Sequence, residues 1–279
     1  METEEKSLQW LQAGATLLAR NWEAVAEGVG GGLADLATRC EARPSAIDGV
    51  GLFAARDLRV GELAALYRAD FTVDAAGHGF AVEDADYFRE AVVPGRAAGT
   101  MRQHWVYPPG LVTSAAPDGA TERFHVAANP RLPPVAGWLA HLANDGDMCT
   151  GTDDDEVLRY LNASGERRNA VFVPLAAPLM GLMMTEDARA GDEVLVSYGH
   201  ANWLDKPLAA DQRADVAAVL QKDAAEYVAL TLMAARSYGR EIAALAHFVR
   251  TGTIVADPPA PDARTKRKTK KKTGKGFAR

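Results

Sequence analysis

The sequence predicts a mainly β (α+β) fold, in which a core of small sheets carries helical appendages at both ends of the chain. The middle of the sequence contains short apolar runs separated by Gly, Pro and charged residues, a pattern typical of short strands. At both ends, apolar residues recur at helical spacing instead. Hydrophobic residues make up 48% of the 279 residues, which is ample for a buried core. The runs that predict strands lie at 49–54, 63–67, 169–173, 180–185 and 194–198.

The domain organisation follows from where these patterns change. Near the start, Leu18, Trp22 and Val25 fall on one helical stripe. Near the end, a long helical pattern has one break at Tyr238-Gly239. The regions are therefore an N-terminal helical segment at 1–41, a β-rich core at 42–205 with a variable insert at about 71–134, a C-terminal helical region at 206–252 and a disordered basic tail at 253–279.

The cysteine count and the first residues exclude several classes of protein. Cys40 and Cys149 are the two cysteines, far apart in sequence, which excludes a disulfide scaffold and a multi-cysteine zinc site. The chain starts with an acidic segment without the apolar run of a signal peptide. No apolar run is long enough to cross a bilayer. We therefore expect a soluble intracellular protein of the nucleus or cytoplasm, without a membrane partner or a bound metal.

Charge is divided unequally along the chain. Residues 263–279 contain nine Lys or Arg and no Asp or Glu, whereas residues 1–262 carry 22 basic and 37 acidic side chains, a net charge of -15. The basic tail predicts binding to nucleic acid or to the nuclear import machinery. The acidic body suits a cationic substrate, although ordinary solubility explains it equally well.

Several short segments with Gly, Asn, Glu and Tyr occur in a definite order. In that order, the chain resembles the SET-domain protein-lysine methyltransferases from about residue 42 to residue 203, and the resemblance implies a SET-type β-clip core. Each segment alone is a weak signal, whereas the ordered set is fairly specific. The segments are Gly49-Val50-Gly51-Leu52-Phe53-Ala54, Gly61-Glu62 with Tyr67 after it, Ala143-Asn144-Asp145, Gly191-Asp192-Glu193, and Tyr198-Gly199 with Trp203 after it.

The resemblance implies a binding site for S-adenosyl-L-methionine. By analogy, the backbone of Gly49, Val50, Gly51 and Leu52 lies against the methionine part of the cofactor. Asn144 matches the family Asn that hydrogen-bonds the cofactor, and Asn can both donate and accept without carrying a charge. Asp145 replaces a family His that meets the adenine largely through its backbone. Trp203 either stacks on the adenine or closes the core.

The resemblance also implies the catalytic residues. Tyr198 matches the active-site Tyr, and Tyr67 either lines the transfer site or packs in the core. Methyl transfer to lysine is an in-line displacement, so it needs two reactants held in a narrow channel rather than a strong base. A phenol oxygen and backbone carbonyls can stabilise the transferring methyl through C–H···O contacts. The expected substrate is therefore a lysine-bearing protein, with histones as one candidate.

Some features of the sequence favour other readings. Asp145 in place of His, Ala69 in place of a family Gly and the lack of a cysteine-rich zinc segment favour a non-catalytic SET-fold binding module or adaptor. His141 and Asp145, four residues apart, would share one face of a helix as a metal-binding pair, although this signal is weak. The run Asp153-Asp154-Asp155-Glu156 is predicted to be a solvated hairpin loop, with docking of a basic peptide as the alternative. In the tail, Ala263-Arg264-Thr265-Lys266 resembles the start of histone three, which suggests substrate mimicry or self-methylation at Lys266.

Overall fold

The computed structural model describes residues 13–74, 79–81, 104–106, 124–129, 132–176, 178–199 and 213–254, and its fold is an α+β arrangement of helices and small sheets. The helices are α1 (Trp22–Val29), α2 (Asp154–Arg167), α3 (Ala214–Ser237) and α4 (Gly239–Thr251), and residues 13–20 are also helical. The strands are β1 (Cys40–Pro44), β2 (Val50–Ala54), β3 (Leu63–Tyr67), β4 (Phe71–Asp74), β5 (Gly79–Ala81), β6 (His104–Val106), β7 (Phe124–Ala127), β8 (Asn144–Asp145), β9 (Ala170–Ala176), β10 (Leu179–Met184) and β11 (Leu195–Val196).

The strands form several small sheets. Strands β1 and β2 make an antiparallel hairpin, and β3, β10 and β9 make an antiparallel sheet in that order. Strands β5, β4, β7 and β6 form another antiparallel sheet within the insert, where the sequence shows no period. Strands β8 and β11 are the exception, because they pair in parallel. The predicted small sheets are therefore present, and the insert adds one that its sequence does not predict.

The sheet of β3, β10 and β9 forms the centre of the core. Every residue of β3 and β10 is buried, which explains why these strands read as continuous apolar runs. Strand β9 was expected to end before Pro174, yet it continues to Ala176. Pro174 is tolerated because β9 lies at the edge of the described sheet, and a register shift follows between Leu179 and Met180.

Helices cover the sheets at both ends of the chain. Leu18, Trp22 and Val25 are buried, as expected for a stripe that faces the core. The rings of Trp22 and Trp138 meet edge to face at 5.6 Å. Helices α3 and α4 meet at Tyr238, where the sequence predicts a break. None of the helices in the described ranges is long and apolar enough to cross a membrane.

The acidic run at Asp153-Asp154-Asp155-Glu156 is not a loop, so that expectation was wrong. It begins α2, and the Asp153 side chain caps the helix by accepting a hydrogen bond from the Glu156 N–H at 3.0 Å. The acidic side chains of the first turn also interact favourably with the positive end of the helix dipole. Asp155 forms an ion pair with Arg213 at the start of α3, so part of this charge holds two helices together.

Two turns of similar sequence hydrogen-bond to each other, and this pair of turns is called the clasp below. They are Asp57-Leu58-Arg59-Val60-Gly61-Glu62 and Asp187-Ala188-Arg189-Ala190-Gly191-Asp192. The backbones of Leu58 and Ala188 exchange hydrogen bonds of 2.8 and 3.0 Å. Each first Asp then caps the other turn: Asp187 accepts from the N–H of Val60, and Asp57 accepts from the N–H of Ala190, both at 3.0 Å.

The exchange continues on both sides of the clasp. Gly191 donates its N–H to the Ala54 carbonyl at 2.8 Å, and Gly61 donates its N–H to the Met184 carbonyl at 2.9 Å. Both glycines have positive φ, 78° for Gly61 and 94° for Gly191. The clasp therefore has approximate two-fold symmetry, and it fixes the end of β2 against the segment that leads into β11.

The positive φ of the clasp glycines predicts a cost for adding a side chain. We expect Gly191→Ala to lower the free energy of unfolding by about 1–2 kcal/mol, because a left-handed conformation is unfavourable for Ala. An added Cβ meets nothing within 4 Å at Gly191 or at Gly239, but only Gly191 has a positive φ. Gly239→Ala is therefore the matched control, and urea denaturation that shows equal losses for both variants would contradict the explanation.

Candidate functional site

The predicted site segments meet where β8 and β11 pair in parallel. Asn144 lies opposite Leu195, and Asp145 lies opposite Val196. Just before β11, the N–H of Val194 donates to the Leu52 carbonyl at 2.7 Å, so the same segment also contacts β2. The glycine segment, the Asn segment and the segment that ends at Tyr198 therefore adjoin one another, although almost 150 residues separate the first from the last.

The side chain of Asn144 connects two of these segments. Its Nδ2 donates to the Asp48 carbonyl and to Glu193 Oε1, each at 3.1 Å. Asp48 directly precedes Gly49, whose φ is +45° and whose missing Cβ would meet nothing within 4 Å. The Asn144 amide thus lies beside an open turn of the glycine segment.

The residues of the glycine segment differ in how far they are buried. A Cβ built on Gly51 would overlap with Glu193 Oε1, so the carboxylate occupies the place of a side chain. Leu52 is completely buried, whereas Val50 is half exposed. The Gly49 turn is thus open, whereas Gly51 is covered by Glu193, and contact of this backbone with a cofactor remains a prediction.

Tyr198, which follows β11, hydrogen-bonds to β8 and to the residue that precedes it. Its phenol donates to the Ala143 carbonyl at 2.8 Å, and its N–H donates to Asp145 Oδ2 at 2.9 Å. Burial, and then the negative charges of Asp145 and Asp48, raise the pKa of the phenol well above its usual range. Tyr198 therefore stays protonated at neutral pH, with its proton directed at a backbone carbonyl.

Asp145 has a role that the sequence does not reveal. Its buried carboxylate accepts hydrogen bonds from Tyr160 Oη and Ser164 Oγ of α2, both at 2.6 Å, as well as from the Tyr198 N–H. It also accepts from the N–H of Asp147 at 3.1 Å. These donors occupy the side chain, so only the backbone of Asp145 remains a candidate for contact with the cofactor. Tyr160 and Ser164 were missed because the helix that carries them was not predicted.

Tyr67 lies in a different part of the site. It is buried, and its ring meets the rings of Phe172 at 5.8 Å and His141 at 6.2 Å. Burial, and then the positive charge of Arg68, lower the pKa of His141 to about 4. Its Nδ1 is buried without a hydrogen-bond partner among the described residues. These two ring contacts are typical of core packing, and a catalytic role for Tyr67 remains a prediction.

Of the remaining predicted site residues, some lie outside the described residues and others lie within them. Trp203 and the tail lysine Lys266 lie outside the described residues. For the pairing of His141 with Asp145, the structure places the Asp145 carboxylate among donors of α2 and β11. Within the described ranges, no three His, Cys, Asp or Glu side chains lie close enough together to hold a metal ion.

The hydrogen bonds of Asp145 predict a large effect for a nearly isosteric change. We expect Asp145→Asn to lower the free energy of unfolding by about 2–4 kcal/mol, because an amide NH₂ would face donors that now share a carboxylate. The control is Asp155→Asn, an exposed residue whose ion pair with Arg213 is screened by solvent, so its loss should be far smaller. Similar losses for the two variants in urea denaturation would refute the central role of Asp145.

The lowered pKa of His141 predicts loss of stability in mild acid. Below about pH 6.5 the unfolded chain binds a proton at this residue more readily than the folded protein does. The contribution to stability is therefore complete near pH 7.5 and falls, by up to about 3 kcal/mol, as the pH drops towards 4. His141→Gln should show a shallower decline than the wild type in urea denaturation at pH 7.5, 6.5, 5.5 and 4.5. Parallel curves would contradict the assignment.

No family model matches the sequence, and no curated protein does so either. Among solved structures, the chain is similar to a Plasmodium falciparum protein described as a candidate histone methyltransferase, with 12% identity and a TM-score of 0.30 over 58% of this chain and 95% of that one. It is also similar to the SET domain of the RIZ1 tumour suppressor (PRDM2), with 13% identity and a TM-score of 0.27 over 67% of this chain and 79% of that one. The structural neighbours of this chain thus include a SET domain and a candidate histone methyltransferase.

Proposed function

We propose that this chain is an S-adenosyl-L-methionine-dependent protein-lysine methyltransferase with a SET-type β-clip core. The main support is the position of Asn144, whose amide lies against the Gly49 turn while its strand pairs with the strand that leads to Tyr198. The order of these segments in the sequence points to the same function. The three segments adjoin in the fold, and group transfer needs residues that hold two reactants side by side.

The residues of the site fit the methionine end of the cofactor. The Gly49 turn leaves open space beside its backbone. The Asn144 Nδ2 donates to Asp48 O and Glu193 Oε1, and its Oδ1 is an acceptor that a ligand can use. When bound, the cofactor supplies an activated methyl group. The chain's own residues orient that group, with Asn144 and the backbone of Gly49 to Leu52 as the holding groups.

Tyr198 and Ala143 provide oxygen atoms for the transfer step. The phenol directs its proton at the Ala143 carbonyl, so the lone pairs of its oxygen remain able to accept C–H···O contacts. Because the phenol is neutral, it stabilises a partly positive methyl group without forming a fixed ion pair. The substrate lysine must lose its proton before it attacks, and desolvation beside a cationic cofactor lowers the pKa of an amine.

A non-catalytic binding module is the alternative. It is favoured by Asp145, which stands at a family His position and whose carboxylate is committed to bonds within the protein. Such a module would bind a lysine-bearing protein or the cofactor without transferring a methyl group.

Two variants separate the proposed roles of the site residues. Asn144→Ala should abolish calorimetric binding of S-adenosyl-L-methionine, because it removes the polar group that orients the cofactor. Tyr198→Phe should keep binding but lower transfer of labelled methyl by about 10²–10³-fold, the usual effect of removing one oxygen or donor at a transfer site.

Transfer is measured on histones and on a panel of other proteins, with Tyr227→Phe as the matched control because Tyr227 lies on α3 outside the site. Cofactor binding without transfer to any protein would favour the binding module. Absence of binding by the wild type would refute both the cofactor site and the proposed activity.

A further inference from the structure

The Asp145 carboxylate divides its hydrogen bonds between its two oxygen atoms. Its Oδ2 accepts from Tyr160 Oη at 2.6 Å and from the Tyr198 N–H at 2.9 Å. Its Oδ1 accepts from Ser164 Oγ at 2.6 Å and from the Asp147 N–H at 3.1 Å. The two hydroxyls of α2 thus bond to one carboxylate at the same distance, but only the oxygen that binds Tyr160 also binds the backbone of Tyr198.

The Tyr160 hydroxyl also lies against the residue that precedes Tyr198. Its oxygen is 3.3 Å from Ser197 Oγ, which in turn accepts from the Gly199 N–H at 3.4 Å. One hydroxyl of α2 is therefore connected to two successive N–H groups, that of Tyr198 through Asp145 and that of Gly199 through Ser197. The Tyr198 phenol projects from the backbone between these two bonds.

The packing of the interior fixes the place of the Tyr160 hydroxyl. Tyr160 is completely buried and belongs to a hydrophobic cluster with Val157 and Leu161 of α2 and Val216 of α3. A close-packed interior leaves such a ring few alternative positions. The bond from the hydroxyl to a carboxylate is charge-assisted, and it is stronger in a buried place than in water. It therefore fixes the orientation of Asp145 and, with it, the acceptor of the Tyr198 N–H.

The methyl transfer that we propose would be sensitive to the position of Tyr198. A displacement of about 1 Å at a transfer site can lower the rate about 10²-fold. Strand β11, which leads to Tyr198, has only two residues, so its pairing alone does not hold the backbone this accurately. A rigid group on a neighbouring helix can supply the missing constraint.

We propose that Tyr160 is a positioning residue for methyl transfer, and that it orients the Tyr198 phenol through Asp145 and Ser197. This assignment rests on the proposed function and makes α2 a support of the transfer site. Because Tyr160 is completely buried, it acts through these residues and not by contact with a reactant. No bond forms or breaks at its hydroxyl.

The test compares two variants that each remove one hydroxyl from the Asp145 carboxylate. In the full-length chain, Tyr160→Phe and Ser164→Ala should lower the urea midpoint by similar amounts, because each loses a buried bond of 2.6 Å. Labelled methyl transfer at saturating cofactor and protein substrate should fall about tenfold or more in Tyr160→Phe, and stay within about twofold of the wild type in Ser164→Ala. Calorimetric affinity for S-adenosylhomocysteine should stay within about twofold of the wild type in both variants.

Hydrogen exchange measures the hold on Tyr198 without any reaction. The Tyr198 amide should exchange about tenfold or more faster in Tyr160→Phe than in Ser164→Ala, because its acceptor is no longer fixed. If Tyr160→Phe does not fold, the wild type is used alone. Its Tyr198 amide should then exchange within about tenfold of the Leu161 amide on α2, since the two are released together. Exchange that is more than about 100-fold faster than that of Leu161 would refute the hold.

The failure of this role and the failure of the proposed function give different results. A wild type that transfers no methyl group overturns the proposed function and the role of Tyr160 with it. Transfer by Tyr160→Phe at the wild-type rate refutes the role of Tyr160 and leaves the proposed function in place. Equal losses of transfer in Tyr160→Phe and Ser164→Ala would show that both hydroxyls only support the fold, which also overturns the proposal.

Discussion

The parallel pairing of β8 and β11 is the contact on which the candidate site depends. Each strand has only two residues, so the ladder alone contributes little stability. The strands are held instead by side chains that bond to backbone. Asp145 accepts from the Tyr198 N–H and from two hydroxyls of α2, and Asn169 binds the backbone on both sides of Val194. The site is therefore stabilised by polar networks more than by sheet pairing, and removal of one member leaves its buried partners unsatisfied.

The pairing of β8 with β11 depends in turn on the clasp. The clasp between the turns at 57–62 and 187–192 fixes the register of the chain that enters β11. A one-residue shift there would exchange the faces on which Glu193 and Val194 lie. Glu193 would then lose Asn144, and buried Val194 would become exposed. The position of Tyr198 beside Ala143 thus depends on two turns that lie outside the site.

For the methyl transfer that we propose, the negative charge of the site would have opposing consequences. Asp48 and Asp145 help to keep the Tyr198 phenol neutral, which suits C–H···O contacts. The same field would favour the protonated form of the proposed substrate lysine, so desolvation and the proposed cationic cofactor would have to outweigh it. This conflict is limited because several donors surround the Asp145 carboxylate, and such donors reduce the field of a charge at a distance.

Sequence reasoning was most effective where a pattern is local. The apolar runs of β3 and β10 and the break at Tyr238 follow from periodicity, and the order of the motifs predicted that Asn144 and Tyr198 adjoin. The start of α2 was missed although it carries a signal, since Asp153 followed three residues later by Glu156 is a typical capping pattern. The clasp was missed because the similarity of its two turns is short, and only their exchange of hydrogen bonds makes it evident. The hydrogen-bond partners of Glu193 and Asp145 come from segments remote in sequence, so no local pattern predicts them.

The substitution of Asp145 for a family His has a physical explanation that bears on function. In β8 the backbone of residue 145 pairs with β11, while its side chain points towards α2. An acceptor-only carboxylate suits this position, because every group that surrounds it is a hydroxyl or an N–H. The carboxylate and the hydroxyls of Tyr160 and Ser164 thus form a matched set, and a His could not accept from all of them. If the family residue acts through its backbone, as the resemblance implies, an Asp here would change the packing towards α2 and leave the backbone proposed to face the cofactor unaltered. The adaptor alternative therefore rests on the loss of the His side chain and not on a change in the backbone of residue 145, and whether any protein accepts a methyl group decides between the two functions.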